Sequence, residues 1–285
     1  MAEPPLVDSI FHATDFSEAS HQAFAHALAI ALARKCDLTI LHSGRDFLAE
    51  DEWGKFPAVR RTLEGWGQLQ PGRERSALLE ELDLRVQKVN LRRLSPRSAI
   101  LDYIEGHETD LVVIATEGRE GIPGWLRPSV AEKVARRSQV MTLFVPEAGQ
   151  GFVDPASGAT RLGRILVPVA HVPSAEPASV YAGRAASLAS GPVEIVFLHV
   201  GEGEMPKLHL PEDPHIAIRE ERRQGDVLDT IERYAREHDV DLIAMTTDGR
   251  DGILGALGRG SHTEQVVRRV DCPVLSVPVG YSGAR

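Results

Sequence analysis

The chain has 285 residues, of which 42% are hydrophobic and 26% charged, enough for two ordinary domains that each bury a core. Its formal charge is −9, with 18 basic against 22 acidic residues in 1–150 and 14 against 19 in 151–285, so neither half carries the basic excess that a nucleic-acid backbone requires. The longest apolar stretch, "ALAIALA" at 27–33, is too short to span a bilayer, and two cysteines, Cys36 and Cys272, suggest no disulfide framework but buried small hydrophobes.

The start, "MAEPPLVDSIF", lacks the basic and apolar regions of a signal peptide, so a cytoplasmic protein is expected. An apolar run at about 7–14 predicts a first strand. Ser17 then caps a helix whose apolar residues recur at helical spacing through "EASHQAFAHALAIALARK". A β-branched run at 38–43 predicts the second strand and an alternating segment near 82–91 the third. Ser95 as cap and Pro96 at the first helical position open a helix, followed by an all-apolar strand at 111–115, a loop, a helix from about 129 and a last strand at 140–146.

The region 147–162, "EAGQGFVDPASGATRL", has no sustained periodicity and reads as a linker, which places a first domain at 1–148, a linker at 149–162 and a second domain at 163–285. The order then repeats: strand 164–169, helix near 175–190, strand 193–200, strand near 215–219, helix 225–238, strand 241–246, loop, helix 262–270 and strand 273–278. Near-continuous Val/Ile/Leu strands alternating with helices call for parallel sheets covered on both faces, so each half is an open α/β sandwich.

The repeat can be followed residue by residue. "SIFHATD" at 9–15 lies on "RILVPVA" at 164–170, His42 lies on His199, and "DLVVIATEGREGI" from Asp110 lies on "DLIAMTTDGRDGI" from Asp241. The offset is 157 at the second strand and 131 at the fourth, so the first half carries 26 extra residues between them, for which 44–80, with Trp53, Phe56 and Trp66 among charges, is the obvious home. That insertion would serve either as a lid on the first half or as a partner surface. After Ser129 and Ser261 the offset is 132. The two last strands, "MTLFVP" and "VLSVPV", are apolar edges whose pairing with one another would cover both.

In an open parallel sheet, ligands sit beyond the carboxyl ends of the strands. The loops after the fourth strands carry Gly118 and Gly249, which permit a close backbone approach, and end in Pro128-Ser129 and Gly260-Ser261 at helix starts, where free N–H groups and the helix dipole suit a phosphate. Ser129 and Ser261 serve equally as plain N-caps. Arg119 and Arg250 stand beside the loop glycines as phosphate partners or solvated surface charges. His209 and His215, in "HLPEDPH", lack tetrahedral metal spacing, and no metal is expected. His42 and His199 read as packed or capping residues. No nucleophile with a base, no G-x-S-x-G and no P-loop lysine occurs, so no dedicated enzyme is expected. The helix ends "KVARR" and "QVVRR" complement the helix dipole.

"ATDFSEAS", "LTILHS", "ATEGREGIPGWLRPSVAEKV", "LIAMTTDGRDGILGALGRGSHTEQV" and "CPVLSVPV", spread over nearly the whole chain, resemble the universal stress protein family twice over. The resemblance implies two tandem five-stranded open parallel-sheet α/β sandwiches of the Rossmann-like, adenine nucleotide alpha hydrolase-like kind, paired through their last strands about a pseudo-twofold axis. It implies a stress-resistance role as a nucleotide-responsive, ATP-binding module, with Mg²⁺ accompanying the nucleotide. The alternatives are a nucleotide-independent adaptor that docks a protein partner and a slow ATPase. Carried over, the first half offers Asp15, Ser43, Ala115, Gly118, Ser129 and Val130, and the second Val200, Thr246, Gly249, Gly260 and Ser261. Both halves depart from the family pattern. Ala115 and Thr246 stand for the motif's first glycine, Pro128 for a later one, and Ala170 stands where the first half has Asp15.

Overall fold

The computed structural model describes residues 7–44, 50–74, 76–92, 95–116, 134–135, 137–147, 149, 151–208, 210, 213–247 and 262–281. In the first half, β1 (Ser9–Thr14), β2 (Asp37–Gly44), β3 (Val86–Arg92), β4 (Leu111–Thr116) and β5 (Met141–Pro146) are accompanied by α1 (Glu18–Arg34), α2 (Val59–Gly65), α3 (Ala77–Leu82) and α4 (Pro96–Gly106). The second half contributes β6 (Arg164–Val169), α5 (Glu176–Ala186), β7 (Val193–Val200), β8 (Ile216–Arg223), α6 (Val227–Glu237), β9 (Leu242–Thr247), α7 (His262–Val267) and β10 (Val274–Pro278). No helix among the described residues is long and apolar enough to cross a membrane.

All ten strands form one sheet in the order β3-β2-β1-β4-β5-β10-β9-β6-β7-β8. Every pairing is parallel except that of β5 with β10, where Thr142, Leu143 and Phe144 oppose Ser276, Leu275 and Val274. Leu143 and Leu275 are equivalent residues of the repeat and face each other, so the pseudo-twofold axis passes through that pair. Both are buried, at 2% and 7% exposure, and each contributes on the order of 1.5–3 kcal/mol through the area it removes from water. The expected pairing of the last strands is thus realised. Because the seam is antiparallel, the carboxyl ends of the two halves lie on opposite edges of the common sheet.

Strand alternation sends side chains to two apolar layers. One is continuous across both halves beneath α1 and α5, and the other lies beneath α4, α6 and α7. The capping residues read from the sequence hold: Ser17 accepts from the Ser20 N–H at 3.2 Å and Ser95 from the Ser98 N–H at 3.4 Å. At the seam, Arg34 near the end of α1 donates to the Arg184 carbonyl at 2.8 Å, placing a cation on the carboxyl-terminal end of α5.

The two repeated aspartates act at the amino edges of their own halves. Asp110 Oδ2 accepts the N–H groups of Asp8 and Ser9 at 2.9 and 3.0 Å, and Asp241 Oδ2 accepts those of Gly163 and Arg164 at 2.7 and 2.8 Å. Each clamps the start of its half's first strand to the start of the fourth. Burial pushes the Asp110 carboxyl up, against the pull of those two N–H groups.

The 26-residue excess lies in the β2–β3 connection, which spans 45–85, against 201–215 for β7–β8. Its Phe56, Val59, Leu63, Trp66 and Leu69 are buried in the α1-side layer. In the second half, the short connection covers the same layer with Met205, Leu208 and Leu210.

Part of the segment 149–162, read from the sequence as a linker, is folded and packed. Residues 152–161 fold back on themselves, with the Arg161 N–H on the Phe152 carbonyl at 2.6 Å and the Asp154 N–H on the Ala159 carbonyl at 2.9 Å. Phe152, Val153 and Leu162 are buried. Three apolar side chains within a Gly/Ser/Pro-rich stretch thus pack into the α1-side layer.

Candidate functional site

At the carboxyl edge of the first half, Thr14 of β1 is in register with His42 of β2, and Asp15 and Ser43 are the next residues after that pair. The chain must turn sharply there to enter α1, and Phe16 takes a left-handed φ of 67° to do so, a conformation costing about 1 kcal/mol for a non-glycine residue. Asp15 holds the turn through Oδ1, which accepts from the Ser17 N–H at 2.9 Å and the Ser17 hydroxyl at 2.6 Å. The Thr14 hydroxyl oxygen adds bonds from the Phe16 N–H at 3.1 Å and the Ser20 hydroxyl at 3.0 Å.

Phe16 is stabilised by its neighbours. Its ring stacks on His42 at 4.2 Å and meets the edge of Phe56 at 5.3 Å, and Trp53 stacks on Phe56 at 5.2 Å. The insertion therefore lies against the strand ends on the α1 side of the sheet.

The histidines near the ends of β2 and β7 do the same work in both halves. His42 Nδ1 donates to the Thr14 carbonyl at 2.9 Å and His199 Nδ1 to the Val169 carbonyl at 3.1 Å, each satisfying the last carbonyl of the neighbouring strand. This is the capping role read from the sequence.

Ser43 projects to the opposite face of β2 from His42. It is 3% exposed, and its Oγ has no hydrogen-bond partner among the described residues. A buried hydroxyl without a partner costs on the order of 1–3 kcal/mol and asks for an explanation. Ala115 on β4 is buried in the α1-side layer, on the opposite face of the sheet from Ser43.

The same edge of the second half has a different chemistry. Ala170 is exposed and carries no carboxylate, and Val200, the counterpart of Ser43, is half-buried against the α6-side layer. Thr246 Oγ1 accepts from the Ala178 N–H at 3.2 Å. The N-cap of α5 is Ala175, which offers no side-chain acceptor, so Thr246 supplies one from the sheet. Alanine rather than Ser, Thr or Asp at the N-cap position 175 was the sequence signal for that role. Gly118, Ser129, Val130, Gly249, Gly260 and Ser261 lie outside the described residues, as do Arg119, Arg250 and His209.

Other chemistries find little support among the described residues. No group of three or more His, Cys, Asp or Glu side chains could hold a metal. Cys36 and Cys272 are buried, and burial pushes both thiols up to about 12, far from a nucleophilic thiolate.

Comparison with known proteins agrees with this architecture. The family model of the universal stress protein family matches residues 7–146 and 201–278. A universal stress protein from Archaeoglobus fulgidus DSM 4304 superposes with a TM-score of 0.58 at 17% identity, covering 95% of this chain and 96% of that one. A functionally unknown protein from Pseudomonas aeruginosa PAO1 gives 0.58 at 16% identity, covering 95% and 92%. These two likenesses show the fold, and no curated protein sequence matches. With both halves built on the same repeat, the two-segment match settles the assignment: the chain belongs to the universal stress protein family.

Proposed function

We propose that the protein is a cytoplasmic stress-response module that binds one adenine nucleotide, in its first half, while the second half serves as a scaffold. The observation that carries this reading is the buried Ser43 hydroxyl, unpartnered among the described residues and, like Asp15, one residue beyond the Thr14–His42 register pair. A nucleoside offers the donors and acceptors this hydroxyl lacks, and Asp15, oriented by Ser17 through one oxygen, keeps a second oxygen for a ligand hydroxyl. In the second half the corresponding positions are Ala170 and Val200, and Thr246 is committed to α5. The glycine loop and Ser129 would hold the phosphates, with Mg²⁺ as their counter-ion. The reading assigns no dedicated catalysis.

The test is mass spectrometry of the supernatant from denatured protein, followed by calorimetric titration of stripped protein with ATP, with and without Mg²⁺. One site per chain is expected, weakened about tenfold by Asp15→Ala, the worth of one charge-assisted hydrogen bond. Thr246→Ala should leave affinity unchanged. Absence of nucleotide and of binding heat would sink the reading. It would favour the adaptor alternative, for which Trp53, 41% exposed on the insertion, supplies an apolar contact.

A further inference from the structure

The strap at 151–158 is held between two side chains that belong to different parts of the first half. His26, in the middle of α1, is fully buried. Its Nδ1 lies 2.9 Å from the Gln22 carbonyl, which can only accept, so Nδ1 carries the proton and Nε2 presents a lone pair. That lone pair accepts the Val153 N–H at 3.3 Å, and the Phe152 ring meets the imidazole edge-on at 4.6 Å. The approach is so close that a Cβ at Gly151 would stand 2.1 Å from His26 Cε1. On the other side, Trp66 of the insertion donates Nε1–H to the Pro155 carbonyl at 2.9 Å and lies under Gly158.

We propose that residues 151–158 form an acid-released latch, closed by the neutral imidazole of His26, that ties the 44–80 insertion to α1. Protonation of Nε2 replaces an acceptor with a donor. Two N–H groups then face each other, and a cation is left in an apolar site, so the protonated ring is stable only once the strap has lifted. The titratable and charged groups on the packed elements are Glu18, His21 and Arg34 on α1, Arg60, Arg61 and Glu64 on α2, Asp154 on the strap and Arg161 just beyond it. β4 and β5 beneath carry none. Burial is the dominant influence on the His26 imidazole and lowers it to about 4, with only the Gln22 carbonyl pulling the other way. Opening returns the ring toward its ordinary value of 6.5. Lifting the strap uncovers Phe152, Val153 and the indole of Trp66, and frees the insertion that stacks on Phe16 and His42.

Hydrogen exchange of the full chain tests this at pH 7.5 and pH 5.0, after correction for the intrinsic pH dependence of exchange. Opening at residues 151–155 should rise roughly 30-fold at the lower pH, the ratio that linkage gives for a group moving between those two ionisation midpoints. In His26→Gln it should not change with pH. A wild-type strap whose opening is the same at both pH values, or a variant that keeps the full pH response, overturns the proposal. If His26→Gln does not fold, the wild-type protein still decides: a latch opens 151–155 while amides of β4 stay protected, and simultaneous exchange of both segments means global unfolding instead.

Discussion

Removing the carboxylate of Asp241 should destabilise the fold without touching ligand binding. Its Oδ2 accepts two N–H groups at 2.7 and 2.8 Å, one on the exposed Gly163 and one on the half-buried Arg164. Water can replace the first partner, so it contributes little net, whereas the second loses a charge-assisted bond. Together, Asp241→Ala should cost about 2–3 kcal/mol, at ~1.5–3 kcal/mol for each hydrogen bond to a charged group less the share that water restores. For a chain of this size, that lowers the melting midpoint by roughly 4–10 °C. Scanning calorimetry measures it, and Asp241→Asn, which keeps an acceptor oxygen, should recover part of the loss. Asp110→Asn should cost less than Asp241→Asn, because burial already disfavours the charged form of Asp110 and a neutral amide escapes that penalty. An Asp241→Ala protein within 0.5 kcal/mol of wild type, a threshold set by the usual scatter of surface substitutions, would refute the clamp.

Acid should weaken the whole fold through two buried imidazoles. Burial is the main cause that lowers both His12 and His26 from 6.5 to about 4, so the unfolded chain binds more protons than the folded one between those values. Stability is therefore full above pH 6.5 and declines as pH falls toward 4, by about 2 kcal/mol per ring between pH 7.5 and 5.0. Urea denaturation at the two pH values reads this directly, and equal midpoints would contradict it. Gly158→Ala should also destabilise, because the residue sits at φ +70° and a Cβ would stand 2.4 Å from the Trp66 ring. A loss of roughly 1–3 kcal/mol and a shift of Trp66 fluorescence are expected, and a stability equal to wild type would contradict the close approach.

The strands and their order of appearance were legible because parallel strands buried on both faces are written as unbroken β-branched runs, and each observed strand lies within a few residues of its expected span. The location of the insertion followed from the offset of the repeat together with the composition of 44–80, and the pairing of β5 with β10 from two apolar edges that each needed a partner. Less legible was anything fixed by a single long-range bond. Asp110 and Asp241 stood out as repeated acids, but only the fold shows that they face the amino edge. His26 lies inside an apolar helical run with nothing beside it in sequence to reveal that its partner is Val153, 127 residues away. Thr246 occupied a position read as part of a ligand loop, and the structure gives its hydroxyl to a helix start instead. Of the candidate site, Asp15 and Ser43 were both expected, and each follows the Thr14–His42 register pair, while the difference between a satisfied and an orphaned hydroxyl has no signature in the sequence.

The antiparallel seam also governs how the two halves can change. In an assembly of two identical chains, every substitution appears twice, so an altered ligand edge is altered in both copies. Here the contact through Leu143 and Leu275 retains the symmetry, while the outward edges are free to diverge. One keeps a carboxylate and a hydroxyl where the other has Ala170 and Val200, and only one bears the long β2–β3 excursion. Joining the copies on a single chain preserves the interface and releases the edges from having to match.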